Sequence, residues 1–355
     1  MRPRRLLIVD ASTVIRRALT AALWAEPGVE VVGSASSGRI ALMKLPLLRP
    51  DVVALDVDLP ETESVDTLAA IRRASPRLPV VLLTTATPRA AAATVDALSR
   101  GANDYILKPD AAVPSHESLT ILGAHLVAKI EACCLTAVAG RPAPITRRLG
   151  AASTDARVDV VAIGVSTGGP GALMDLVPAF AADFPVPILI VQHMPPMFTR
   201  LLAERLAARA SVTVAEGVPS HLVEPGHAWI APGGFHMAIE RDGGAVRLIT
   251  YQGPPENSCR PSVDVLFRSV ADVYGPHALA VVMTGMGQDG LRGCAQIQAA
   301  GGRVLAQDES SSVVWGMPGG VARAGLADQI LPLSRLGVEI VARVYRCRQM
   351  ACETA

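Results

Sequence analysis

The chain has 355 residues, 50% of them hydrophobic and 18% charged, with 33 basic against 32 acidic side chains and a net charge of +1. That length exceeds one ordinary core and predicts two domains, and the composition excludes a disordered chain. Near-neutral charge without a basic cluster argues against nucleic acid as a partner. No window reaches the roughly 18–20 uncharged apolar residues of a membrane helix, so no insertion into a membrane is expected. The six cysteines (133, 134, 259, 294, 347 and 352) form no C-x-x-C pair. That usage predicts reduced thiols and a cytoplasmic protein. The opening "MRPRRLLIVDAS" is interrupted by Asp10 and reads as a strand rather than a signal peptide.

The first 132 residues alternate short apolar runs with helical patterns. "RRLLIVD", "VEVVGSA", "PDVVALDVDLP", "LPVVLLTT" and "ANDYILKP" read as strands. Helical stretches follow each, the first opening at Ser12 as an N-cap and the last running through "ESLTILGAHLVAKIEACC". Five βα repeats predict a doubly wound parallel sheet with functional residues at the carboxyl ends of its strands. Asp10, Asp56, Thr84 and Lys108 all fall at such ends. Singly, each reads as a strand or helix cap. Together, two carboxylates, a hydroxyl and an ammonium suit Mg²⁺ and a phosphoryl group.

These landmarks, "IVDAS", "ALDVDLP", "LLTTA" and "ILKP", resemble the receiver domain of bacterial response regulators over residues 4–132, a flavodoxin-like fold. The resemblance implies phosphorylation of Asp56 by a histidine kinase, with Lys108 and Thr84 as switch partners. Asp10 and Asp56 then form the metal site. Two features depart from that pattern. Ala11 stands where a second acidic residue is usual, which weakens Mg²⁺ binding. The loop "ETESVD" also lacks the usual glycine, leaving Asp58 or Glu61 as substitute carboxylates.

A linker is expected over 133–156, where Pro142 and Pro144 interrupt any period. A second α/β domain follows over 157–345, then a tail over 346–355. Its strand candidates are "DVVAIGVS", "PVPILIVQH", "HAWIAPG", "ALAVVMTGMG" and "GRVLAQD". A hairpin region turning at Gly243-Gly244 makes the expected sheet mixed but mostly parallel.

Within "VAIGVSTGGPGALMD", Gly164-x-Ser166-x-Gly168 has the spelling of a nucleophile elbow. Alone, the same serine reads as a helix N-cap. His193 ends "ILIVQH" and Asp289 sits in the glycine-rich turn of "AVVMTGMGQDG", each after its own strand. Serine, histidine and aspartate at three strand ends of one sheet can form a nucleophile, a base and the group that orients it. Their chain order differs from the Ser-Asp-His order of α/β-hydrolases, which predicts a different fold. "GMGQDG" also spells G-x-G-x-x-G, with Asp308 18 residues beyond Gly290. A dinucleotide site there would place Asp289 against a pyrophosphate of like charge. His221, His227 and His236 match no common zinc spacing.

Residues 157–345 closely resemble the catalytic domain of the CheB family, the chemotaxis protein-glutamate methylesterases. The segments are "IGVSTGGPGAL", "VQHMPPMFT", "IAPGGFHM", "RPSVDVLFRSVA", "MTGMGQDG" and "VWGMPG". The resemblance implies hydrolysis of glutamate γ-methyl esters, and deamidation of glutamines, on methylated chemoreceptors. By position, Ser166 is then the nucleophile, His193 the base and Asp289 its orienter. Thr167 and Met286 line the site as oxyanion donors, no cofactor takes part in catalysis, and the receiver regulates access. The alternatives are a non-catalytic response regulator with an interaction domain, or a dinucleotide-binding oxidoreductase.

Overall fold

The computed structural model describes residues 2–24, 26–60, 63–109, 115–135 and 157–353. Its contacts divide the chain into two compact units, Met1–Ala139 and Gly140–Ala355.

The first unit runs β1 Arg4–Val9, α1 Thr13–Leu23, β2 Val29–Ala35, α2 Gly38–Leu48, β3 Val52–Asp56, α3 Glu63–Ala74, β4 Val80–Thr84, α4 Pro88–Ser99, β5 Asp104–Leu107 and α5 His116–Leu135. The sheet order is β2-β1-β3-β4-β5, with every pair parallel. Strands β3 and β4 are buried along their whole length. Helices cover both faces of such a sheet, so its inner strands are unbroken apolar runs. Ser12 caps α1 by accepting from the Ile15 N–H. Helix α5 continues past residue 132, with Cys133 and Cys134 buried in it. Residues 136–156 of the expected linker, and Glu61, lie outside the described residues.

The second unit runs β6 Val160–Val165, α6 Gly169–Leu176, β7 Ile188–Gln192, α7 Phe198–Ala207, β8 Thr213–Glu216, β9 His227–Ile230, β10 His236–Asp242, β11 Ala245–Tyr251, α8 Val263–Tyr274, β12 Ala278–Val282, α9 Leu291–Ala299, β13 Arg303–Gln307, α10 Met317–Arg323, β14 Gln329–Leu331 and α11 Leu333–Glu353. The order β14-β13-β12-β6-β7-β9-β8 is joined by parallel pairs. The antiparallel component is segregated: β10 and β11 pair as a separate hairpin that turns at Gly243-Gly244. Helix α11 extends through the expected 345/346 boundary to Glu353.

The chain leaves β6 on one side for β7 and returns on the other as β12. This reversal opens a crevice at the carboxyl ends of β6, β7 and β12, where open α/β sheets place their ligands. All three strands are fully buried, which fixes the crevice on rigid supports.

Candidate active site

Ser166 and His193 directly follow the paired residues Val165 and Gln192 of β6 and β7, so the two strand ends put them side by side. The backbone turns at Gly168, whose φ of 78° lies in the left-handed region. A side chain there would also meet Val313 at 2.5 Å, so glycine is required twice over. Helix α6 begins at the next residue, and the Gly169 N–H donates back to the Ser166 carbonyl at 2.8 Å. The Gln192 side-chain amide donates to the same carbonyl at 3.0 Å. The glycine at 285 lets the turn after β12 approach closely, since a Cβ there would stand 2.8 Å from the Ser166 Cβ.

Asp289 anchors the site. His193 Nε2 lies 2.8 Å from its Oδ2, which also accepts from the Val263 N–H at 2.7 Å. Its Oδ1 accepts from Asn257 Nδ2 and Ser262 Oγ, each at 2.8 Å, and from the Asp264 and Gly290 N–H groups, each at 3.1 Å. Val263 and Asp264 open α8, so the carboxylate also sits at a positive helix end. Burial works against the Asp289 charge, but the His193 hydrogen bond and these donors outweigh it and hold the carboxyl down at about 2. An ionised Asp289 only accepts, so His193 Nε2 carries the hydrogen and Nδ1 is left as the acceptor in the neutral ring. Burial likewise opposes the imidazolium, yet the bonds to Asp289 and Cys259 lift His193 to about 9.

Nδ1 faces Cys259, whose Sγ is 3.5 Å away. The Ser166 hydroxyl makes no hydrogen bond among the described residues. Atoms of His193, Cys259 and Asp289 fall within 4.8 Å of one another, a metal-ligand spacing. Both Asp289 oxygens are already filled by six donors, so the set reads as a proton relay instead. Thr167 is buried and its carbonyl accepts from Thr284 Oγ1 at 2.8 Å. Met286, in the turn after β12, is 45% exposed.

Sequence reasoning missed Cys259, Asn257, Ser262, Gln192 and Thr284. Ser262 and Val263 lie within "RPSVDVLF", and Gln192 immediately precedes His193, so position alone was an available signal for these. Asn257 and Cys259 reach the site through a tight turn, in which Glu256 and Cys259 exchange both backbone hydrogen bonds. Asn257 and Ser258 at its centre have φ of 51° and 62°, which no apolar period announces.

In the first unit, Asp10, Asp56 and Lys108 converge. Lys108 Nζ stands 2.6 Å from Asp56 Oδ1 and 3.5 Å from Asp10 Oδ2. Asp10 Oδ2 is buried and accepts no hydrogen bond, with only the Lys108 ammonium facing it at 3.5 Å, so it keeps room to ligate a cation. Burial, and then the Asp10 charge, push Asp56 up to about 6 against the pull of Lys108. The exposed Asp58 carboxylate is 3.9 Å from Lys108 and accepts from Thr85 Oγ1. Thr84 is turned elsewhere: its hydroxyl accepts from Thr94 Oγ1 at 2.8 Å, toward α4.

A five-stranded receiver-type sheet and a parallel α/β unit carrying a His-Asp couple beside a serine elbow define a regulated hydrolase. The sequence comparisons agree. The family model described as response regulator receiver domain matches residues 6–115, and that described as CheB methylesterase matches residues 161–340. A Trichodesmium erythraeum protein named protein-glutamate methylesterase/protein-glutamine glutaminase is 49% identical, over 96% of this chain and 99% of its own. A Nocardioides protein of the same name is 42% identical over 97% and 96%. The crystal structure of the Thermotoga maritima CheB methylesterase catalytic domain superposes with a TM-score of 0.51. Identity is 39%, over 52% of this chain and 97% of that one. The chain belongs to the CheB methylesterase family and is an enzyme of that class with a receiver domain. Among the described residues, no helix is long and apolar enough to cross a membrane.

Proposed function

We propose that the second unit hydrolyses glutamate γ-methyl esters on methylated chemoreceptors, and deamidates glutamines there, with Ser166 as nucleophile. The carrying observation is the His193 Nε2–Asp289 Oδ2 bond of 2.8 Å, which leaves Nδ1 as the one ring nitrogen that can take the serine proton. Ser166 then attacks the ester carbonyl, methanol leaves with that proton, and water attacks the acyl-enzyme with His193 again as base. Backbone N–H groups near Thr167 and Met286 are the candidate donors to the oxyanion. An amide in place of the ester releases ammonia by the same steps. No resident cofactor enters this chemistry.

In the first unit, Asp56 is the proposed acceptor of a phosphoryl group from a histidine kinase, and its phosphorylation raises esterase activity. Asp10 and Asp56 would hold Mg²⁺, which neutralises phosphate charge; Ala11 leaves one ligand fewer than the family pattern. Lys108 meets the phosphoryl oxygens. Thr84 does so only after its hydroxyl leaves Thr94.

The test supplies the full-length protein with methyl-labelled receptor membranes, and separately with receptors carrying glutamine at the same sites. Release of methanol and ammonia supports the reading. Release of neither, by protein that keeps its folded circular-dichroism spectrum, refutes it.

A further inference from the structure

His193 Nδ1, the ring nitrogen not bonded to Asp289, has two neighbours able to use it. The carboxyl end of β6 brings Ser166 beside the histidine. The turn after β11 brings Cys259 Sγ to 3.5 Å from Nδ1. Thiol, imidazole and carboxylate thus lie in series, Cys259 to His193 to Asp289, with the last link at 2.8 Å. That is the constellation of an activated cysteine nucleophile: a thiol, a base and a group orienting the base. Cys259 is only half-buried, so small molecules reach it. The other cysteines with described side chains, Cys133, Cys134 and Cys294, are buried.

We propose that Cys259 is a modification site: a thiol activated by His193 that hydroperoxides oxidise, shutting the esterase reversibly. The thiol proton passes to Nδ1, and thiolate and imidazolium then face each other. The sulfur attacks one peroxide oxygen, the S–O bond forms and the O–O bond breaks. The departing alkoxide or hydroxide takes the imidazolium proton. Cys–SH and ROOH become Cys–SOH and ROH, the sulfur being oxidised and the peroxide reduced. A thiol reductant restores the site in two exchanges. The first forms a mixed disulfide and water, and the second releases Cys259 and the oxidised reductant. The sulfenic oxygen adds a hydrogen-bonding group at Nδ1, the nitrogen Ser166 needs. The shut-off therefore rests on the proposed role of Ser166, whereas the reactivity of the thiol does not.

Burial drives the three control thiols away from ionisation. It pushes Cys134 up to about 11, and Cys133 and Cys294 well above the ordinary thiol range. They serve as internal references within one molecule.

The experiment treats the folded full-length protein with limiting iodoacetamide, and separately with hydrogen peroxide followed by the sulfenic-acid trap dimedone. Peptide mass spectrometry then reads all six cysteines individually. Cys259 should be alkylated at least ~10-fold faster than Cys133, Cys134 and Cys294, and should carry the dimedone. His193→Gln should slow its alkylation ~10-fold, while Ser166→Ala should leave it reactive. Equal labelling of Cys259 and the buried three overturns the proposal, as does an unchanged rate in His193→Gln. Peroxide should remove ~90% of methanol release from the native protein, and dithiothreitol should restore it. Cys259→Ser should keep its own untreated rate after peroxide. Full activity in protein carrying oxidised Cys259 overturns the shut-off. Protein that is inactive before treatment yet labels selectively at Cys259 separates failure of the esterase reading from failure of this one.

Discussion

At the scale of single residues, the roles proposed for His193 and Asp289 predict how hydrolysis depends on pH. The base must be neutral to accept a proton, and Asp289 favours the charged ring. The rate of methanol release should therefore rise with pH, through an ionisation above the usual histidine value of about 6.5. In Asp289→Asn, that midpoint should move down and turnover should fall by roughly 10²–10⁴-fold, from the lost charge and the wrong tautomer. A pH–rate profile of both proteins measures the two effects together. An unmoved midpoint would remove His193 as the titrating base. Much of the candidate site was legible in the sequence, since Ser166, His193 and Asp289 each end or follow an apolar run that reads as a strand. The six donors around Asp289 were not legible: four of them come from a turn and a helix start distant in sequence, brought in by packing. The rotation of Thr84 toward Thr94 was equally hidden, because a side-chain torsion leaves no mark on a pattern.

At the scale of elements, glycines decide how closely the loops of the crevice pack. Gly285→Ala would place a methyl 2.4 Å from the Met317 sulfur and 2.8 Å from the Ser166 Cβ. The turn after β12 must then retreat from Ser166. Stability should fall by about 1–3 kcal/mol, and methanol release should drop more than the folded fraction does. A denaturant titration beside an activity assay separates the two. In the turn that carries Cys259, Ser258 has a φ of 62°, a conformation glycine adopts without strain. Ser258→Gly should be neutral or stabilising by about 1 kcal/mol, whereas Ser258→Val should destabilise, on the same titration. The buried strands β6, β7 and β12 were readable as continuous apolar runs. Strands β8 and β14 were not, being four and three residues long and partly exposed at the sheet edges, where little burial constrains the pattern. The hairpin was readable because Gly243-Gly244 supplies the turn.

At the scale of the whole molecule, two units with separate cores should give two calorimetric transitions. Asp56 links the first of them to pH. Its folded value is raised from 3.8 to about 6, so ionising it costs the native state. The stabilisation is complete below about pH 4 and is lost as pH rises through about 6. The shift corresponds to roughly 3 kcal/mol, with the residue only 2% exposed. Asp56→Asn should accordingly raise the melting temperature of the receiver unit at pH 8 and give no gain at pH 4. Melting curves at the two pH values check this, and equal shifts at both would contradict it. The phosphorylation proposed for the first unit falls on this same buried carboxylate. The most direct test of the whole account is methanol release from methylated receptor membranes by native protein and by Ser166→Ala, at matched folded concentrations. The account predicts a loss of several powers of ten in the variant, down to what substrate binding alone supplies. A variant that releases methanol at the native rate would contradict it.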